Sequence, residues 1–276
     1  MKQRPSFPVR MPASNAPTGK PMPAGTGPAT VVKTLGAKRG HPLGGADAAL
    51  AAPVPSGLGM DSSAVRASMV RKLAESGVGD AQVLAAMGQV PRHQFVDSAL
   101  VTQAYEDTSL PIGLGQTISK PSVVARMIEL LRQGALLQAN GLMCRVLEIG
   151  TGCGYQAAVL SCVASEVYSI ERLRGLHDKA RDNLRPMRLP NVHLLFGDGM
   201  LGYAKGAPYA AIIAAAGGEA VPQAWLDQLA VGGRVIAPTV TAHGQQALLV
   251  IDKTSQGLRQ QQLEPVHFVP LKSGIA

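Results

Sequence analysis

Val146-Leu147-Glu148-Ile149-Gly150-Thr151-Gly152-Cys153-Gly154-Tyr155 is the stretch that decides the fold class. An apolar run of strand length enters a glycine-rich turn, and a helical pattern follows over Gln156–Val163. Glycines allow the tight turn and a close backbone approach to a ligand, while the helix start presents free N–H groups. A dinucleotide fingerprint would be Gly-x-Gly-x-x-Gly, but its third glycine position is Tyr155 here. The spacing is Gly-x-Gly-x-Gly, which argues against a nicotinamide cofactor. Outward from this turn, strand-like runs recur at Arg145–Ile149, Val167–Ile170, Val192–Phe196, Ala211–Ala215, Arg234–Ala237 and Ala247–Ile251. Helical stretches at Leu173–Leu184 and Pro222–Leu229 lie between them. This alternation predicts an α/β fold: a mostly parallel twisted sheet with right-handed crossovers and helices on both faces.

Upstream of the sheet, Asp61-Ser62-Ser63 reads as a helix start, with Val65, Met69, Val70 and Leu73 at helical spacing. Gly77 and Gly79 end that helix, and Asp80 caps a second one with Val83, Leu84 and Met87 inward. Residues 1–60 differ in kind, holding ten of the 20 prolines and nine of the 31 glycines. They are expected to form a disordered basic tail, leaving 61–276 as the folded domain, with 61–140 as a helical substrate-side segment. The tail also explains the charge. It carries seven basic residues against the single acid Asp47, whereas the remainder has 19 basic and 17 acidic residues. The folded part is nearly neutral, so no nucleic-acid surface is expected. No apolar run reaches the 18 residues of a membrane span. Cys144, Cys153 and Cys162, nine residues apart, match neither a zinc site nor a disulfide framework. A cytoplasmic chain with reduced thiols and no metal is expected.

Two acids complete the nucleotide pattern. Glu171 ends the second parallel strand 21 residues past Gly150, where a carboxylate can accept both hydroxyl protons of a ribose. Gly197-Asp198-Gly199 places another acid after the third. A glycine turn, a ribose acid and a third-strand acid, without a phosphate-binding lysine, describe a pocket for S-adenosylmethionine.

The chain resembles the protein-L-isoaspartate O-methyltransferases from about Ser62 onward. The motifs specific to that family are Pro91-Arg92-His93-Gln94-Phe95-Val96, Ala104-Tyr105-Glu106-Asp107 and the segment Leu110–Pro121, which contains Gly115-Gln116-Thr117-Ile118-Ser119-Lys120. Phe268-Val269-Pro270-Leu271 also fits the pattern. The resemblance implies a Rossmann-like S-adenosylmethionine-dependent fold. It also implies methyl transfer to the free carboxylate of isoaspartyl residues in damaged proteins and peptides, whose esters collapse to succinimide. By the same resemblance Ser119 is the active-site hydroxyl and Thr117, Ile118 and Ser119 cross the cofactor. Glu148, Gly150 and Gly152 belong to the cofactor site, with Gly150 approaching its methionine moiety, Glu171 holds the ribose, Gly197 and Asp198 flank the adenine, and Gln246 stands nearby. Three places depart from the family: Ala210 follows Tyr209 where an acid is usual, Ala215-Ala216-Gly217-Gly218 replaces Thr-Ala-Ala-Pro, and Pro238-Thr239-Val240 replaces Pro-Val-Gly.

An isoaspartyl carboxylate, with a pKa of roughly 3.9, is already ionised at neutral pH, so this chemistry needs alignment rather than a base. Ser119 is therefore expected to position the acceptor by hydrogen bonding, with a helix cap ahead of Pro121 as its alternative role. His93, His177 and His193 are expected to be structural, Cys153 to be a small residue beside the cofactor, and Trp225 to pack. A monomer is expected. The rivals are a methyltransferase with another acceptor, such as a small molecule or RNA, and a non-catalytic binder of modified peptides. The Leu110–Pro121 segment discriminates against the first, and intact Ser119, Glu171 and Asp198 against the second.

Overall fold

Strand polarity and the point where strand order reverses place the site. The computed structural model describes residues Ser63–Ala276; the expected tail and the Asp61-Ser62 helix start lie outside the described residues. In chain order the elements are α1 (Ser63–Glu75), α2 (Ala81–Gln89), β1 (Leu110–Gly113), β2 (Gln116–Ile118), α3 (Pro121–Gly134), β3 (Met143–Ile149), α4 (Tyr155–Ser161) and β4 (Ala164–Glu171). They continue with α5 (Arg174–Leu184), β5 (Val192–Phe196), β6 (Tyr209–Ala214), α6 (Gln223–Gln228), β7 (Leu229–Val240), β8 (Gln246–Thr254) and β9 (Gly257–Pro265). Short 3₁₀ turns join several of them.

The seven-stranded sheet has the order β5-β4-β3-β6-β7-β8-β9, parallel from β5 to β7 and antiparallel from β7 to β9. From β3 the chain steps outward to β4 and β5, then returns to β6 on the other side. The crevice at the carboxyl ends of β3 and β6 is therefore the topological switch point, where open α/β sheets bind ligands.

Alternation along the strands builds two cores, because successive side chains face opposite ways. Val146, Ala211, Ile213 and Ile236 face the larger core with residues of α1 to α5. Leu147, Ile212, Val235 and Ala237 face the smaller one with Trp225 and Leu226 of α6. Helices thus cover both faces, unequally. Asp80 caps α2 as expected, its carboxylate accepting the N–H groups of Gln82 and Val83. Its second oxygen pairs with Arg132 of α3 at 2.8 Å. Arg234 of β7 forks onto Asp252 of β8 at 2.6 and 2.8 Å and donates to the Leu130 carbonyl, tying the antiparallel strands to α3.

Three elements go beyond the strands and helices read from the sequence. The β1–β2 hairpin is two short strands around Gly113-Leu114-Gly115. Helix α3 shows Pro121 in its first turn and an apolar face through Val124, Ile128 and Leu131. Strand β9 is almost wholly exposed, so it carries no apolar alternation.

Ile213 is fully buried at the middle of the sheet. Ile213→Ala should cost about 2–5 kcal/mol in urea unfolding through lost burial and a residual cavity. A loss under about 1 kcal/mol would mean that the centre of the sheet is not the main core.

Candidate active site

The glycine turn at the end of β3 forms the floor of the site. Gly150, Gly152 and Gly154 have φ of +90°, +58° and +91°, a region L side chains rarely adopt. Gly150 N–H donates to the Ile170 carbonyl, and Gly152 N–H donates to Glu171 Oε2 at 2.9 Å. The other oxygen of Glu171 accepts the N–H of Leu173 at 2.9 Å. Glu171 is thus fixed by two backbone donors at the carboxyl end of β4, with lone pairs left for hydroxyls.

A cavity of about 460 Å³ opens above this floor, a size suited to a small-molecule ligand. Gly150, Gly152 and Glu171 line it, and Thr117, Ile118 and Ser119 cross it from the β1–β2 hairpin. Sequence reasoning missed several of its walls. Leu114, at the hairpin tip, lines it with a left-handed φ of +52° while remaining 62% exposed. That conformation is rare for a bulky non-glycine residue, and only its position between Gly113 and Gly115 signals it. Val269, Leu271 and Lys272 of the C-terminal segment close another side.

Four of the expected residues lie beside the cavity rather than in its wall. Gly197 donates its N–H to the Glu171 carbonyl at 3.0 Å. Asp198 caps a 3₁₀ turn through Met200 N–H at 2.8 Å and accepts the Gly274 N–H at 2.6 Å. The adjoining Gly199 reaches the cavity. Gln246 faces away from it: its amide accepts Phe268 N–H at 2.7 Å and donates back to the Phe268 carbonyl at 3.2 Å. A Cβ at Gly217 would come within 2.6 Å of Gln246 Nε2, so the altered glycine loop makes room for this clamp. Its structural part is to hold the C-terminal segment.

Glu148 lies beneath the floor, fully buried, with Oε2 accepting from Ser169, whose hydroxyl also meets Thr151 at 2.6 Å. Burial pushes its pKa up to about 8 against the opposing Ser169 hydrogen bond. Gln156, a cavity-lining residue, adds a second side-chain hydrogen bond that opposes that rise. Cys153 is buried, with its thiol raised to about 11 by burial, which keeps it protonated and unreactive. Trp225 packs at 1% exposure and donates Nε1–H to the Gly199 carbonyl at 2.8 Å. His93 hydrogen-bonds the Tyr105 hydroxyl, and His193 stacks on Tyr168.

A second cavity of about 1000 Å³ adjoins the first. Thr117, Ser119, Ala215 and Val269 line both and form the wall between them. Among the described residues, none accepts a hydrogen bond from Ser119 Oγ. Ser119 does not cap α3 either, because Lys120 is the residue at that position and Pro121 begins the helix.

A switch-point cavity over a glycine cradle, with the backbone-held Glu171 carboxylate in its wall, fits S-adenosylmethionine, and with this sheet it defines an S-adenosylmethionine-dependent methyltransferase. The model of the protein-L-isoaspartate(D-aspartate) O-methyltransferase family matches residues 64–276, and the chain belongs to that family. It is 61% identical over 222 residues to the protein-L-isoaspartate O-methyltransferase of Methylibium petroleiphilum, covering 80% of this chain and 81% of that one. The Leptothrix cholodnii enzyme of the same name is 61% identical over 221 residues, covering 79% and 77%. A solved protein-L-isoaspartate O-methyltransferase matches with a TM-score of 0.67 and 30% identity, over 76% of this chain and 67% of that one. A Plasmodium falciparum chain solved with S-adenosyl-L-homocysteine shares the fold at 24% identity and a TM-score of 0.62, covering 75% and 98%.

The buried Glu148 gives a pH signature. It keeps its proton to about pH 8 in the fold, whereas an exposed glutamate loses it near about 4.3. Between those values the folded chain holds the extra proton, so this contribution to stability is full at acid pH and is lost as pH climbs toward 8. The slope is up to about 1.4 kcal/mol per pH unit. Glu148→Gln should flatten the decline of unfolding free energy from about pH 5 to about pH 8. An unchanged slope would mean that Glu148 is ionised in the fold.

Proposed function

We propose that Ser119 and the wall around it align the carboxylate of an isoaspartyl residue, entering from the larger cavity, with a methyl donor held in the smaller one. The observation that carries this reading is that Thr117, Ser119, Ala215 and Val269 line both cavities. Membership of the family makes the chain a protein carboxyl methyltransferase that acts on isoaspartyl proteins and peptides and starts their repair. The roles of its individual residues are our reading.

S-adenosylmethionine supplies, when bound, an electrophilic methyl group on a sulfonium. Glu171, fixed by Gly152 and Leu173, accepts from ribose hydroxyls. Gly150 lets the backbone approach the methionine portion, and Asp198 and Gly197 border the adenine end beside Gly199. On the acceptor side, the Ser119 hydroxyl donates to the carboxylate oxygen that does not attack, which fixes the other oxygen on the line of transfer. No proton has to be removed from an acceptor ionised at neutral pH. Orientation and exclusion of water remain, and Ile118, Val124 and Ile149 supply apolar walls for the second. No described helix is long and apolar enough to cross a membrane, and the free cysteines agree with action in the cytoplasm.

A hydrogen bond to a charged group contributes about 1.5–3 kcal/mol, so Ser119→Ala should lower kcat about 10–100-fold. Affinity for S-adenosyl-L-homocysteine should stay within about 2-fold, since the lost bond goes to the acceptor. Turnover of labelled methyl groups and calorimetric titration read the two quantities. Wild-type kcat, or loss of S-adenosyl-L-homocysteine binding alone, would contradict the positioning role.

A further inference from the structure

The larger cavity carries charges of both signs, and their state of engagement differs. Arg126 is held twice, by Glu129 at 3.2 Å and Glu264 at 3.1 Å. Asp107 has both oxygens engaged by Ser122, one by its N–H and one by its hydroxyl, each at 2.8 Å. Lys120 is different. Among the described residues its only ion pair is to Asp107 at 3.9 Å, with the lysine side chain 46% exposed. Exposed pairs at that distance are worth little, and this one competes with the two Ser122 contacts. Lys120 also has no local duty, since its side chain makes no cap on α3. The positive end of that 14-residue helix adds to its charge.

Lys120 directly follows Ser119 and lines the same cavity. A carboxylate held at Ser119 would have its neighbouring residue about 3.3–3.6 Å further along an extended chain, within the span of a lysine side chain. We propose that Lys120 is a specificity-determining residue that favours acceptors carrying a second carboxylate next to the isoaspartyl residue. This rests on the reading that the larger cavity takes the acceptor. The ammonium is a flexible point charge, so it selects by sign rather than by shape.

The test uses three isoaspartyl peptides that differ only in the flanking residue: Glu, Gln or Lys. Steady-state transfer at low ionic strength gives KM and kcat for the full chain and for Lys120→Gln and Lys120→Glu. The wild type should show KM about 2–5-fold lower for the Glu peptide than for the Gln peptide, and higher for the Lys peptide. That order should shrink in about 0.5 M salt. Lys120→Gln should bring the three KM values together, Lys120→Glu should reverse their order, and kcat should not carry the discrimination. S-adenosyl-L-homocysteine titration checks that both variants are folded. Equal changes for all three peptides in Lys120→Gln would overturn the proposal, assigning Lys120 to the reacting carboxylate instead. Wild-type KM values without any charge order would overturn it too. No transfer to any of the three by wild type would remove the acceptor reading, and the proposal with it.

Discussion

The turn from Gly150 to Gly154 exists because three of its residues occupy positive φ, and the rest of the site is arranged around it. It lets β3 pass tightly into α4, and at its three glycines it presents backbone without a Cβ at the switch point. The Glu171 carboxylate then locks the turn to the next strand by accepting the Gly152 N–H. One acid thereby shapes the pocket and keeps lone pairs for further donors. Side chains at these glycines would strain the backbone, and at Gly154 a Cβ would also press on Leu184 at 3.0 Å.

The acceptor side depends on the C-terminal segment. The Val269 carbonyl accepts the Gly217 N–H, and the Gly217 carbonyl accepts the Leu271 N–H. The Gln246 amide holds Phe268 from the other side. Further on, Gly274 reaches Asp198, and Ala276 bonds to the backbone of Arg172 and Arg174. A single run of chain therefore borders the larger cavity, closes part of the smaller one and ends beside Asp198. The two glycines of the departing loop belong to this arrangement. Gly217 leaves space for Gln246, and Ala210, another of the three departures, is a buried sheet residue in β6.

Much of this was legible in the sequence, for identifiable reasons. Strands buried on both faces announce themselves as apolar runs, and helix caps such as Asp80 as local signals. Glycines at fixed spacing mark a turn, and Glu171 and Asp198 fall at strand ends by counting. What was not legible depends on tertiary placement. Gln246 and Glu148 sit near the cavity in sequence logic, yet one clamps Phe268 and the other lies under the floor. Strand β9 is mostly polar and exposed, with only Leu263 packing against the larger core, so its pairing with β8 comes from backbone hydrogen bonds that leave no apolar alternation. Leu114 becomes a wall of the donor cavity only through the path of its hairpin, and Lys272 only through the route of the C-terminal segment.

The central claim is that one wall, containing Ser119, brings an isoaspartyl carboxylate to a methyl donor held over the glycine turn. Methyl-labelled S-adenosylmethionine, incubated with the chain and matched isoaspartyl and aspartyl peptides, tests it most directly. The account predicts base-labile label on the isoaspartyl peptide alone. Binding of the donor with no label on either peptide, or equal label on both, would contradict it.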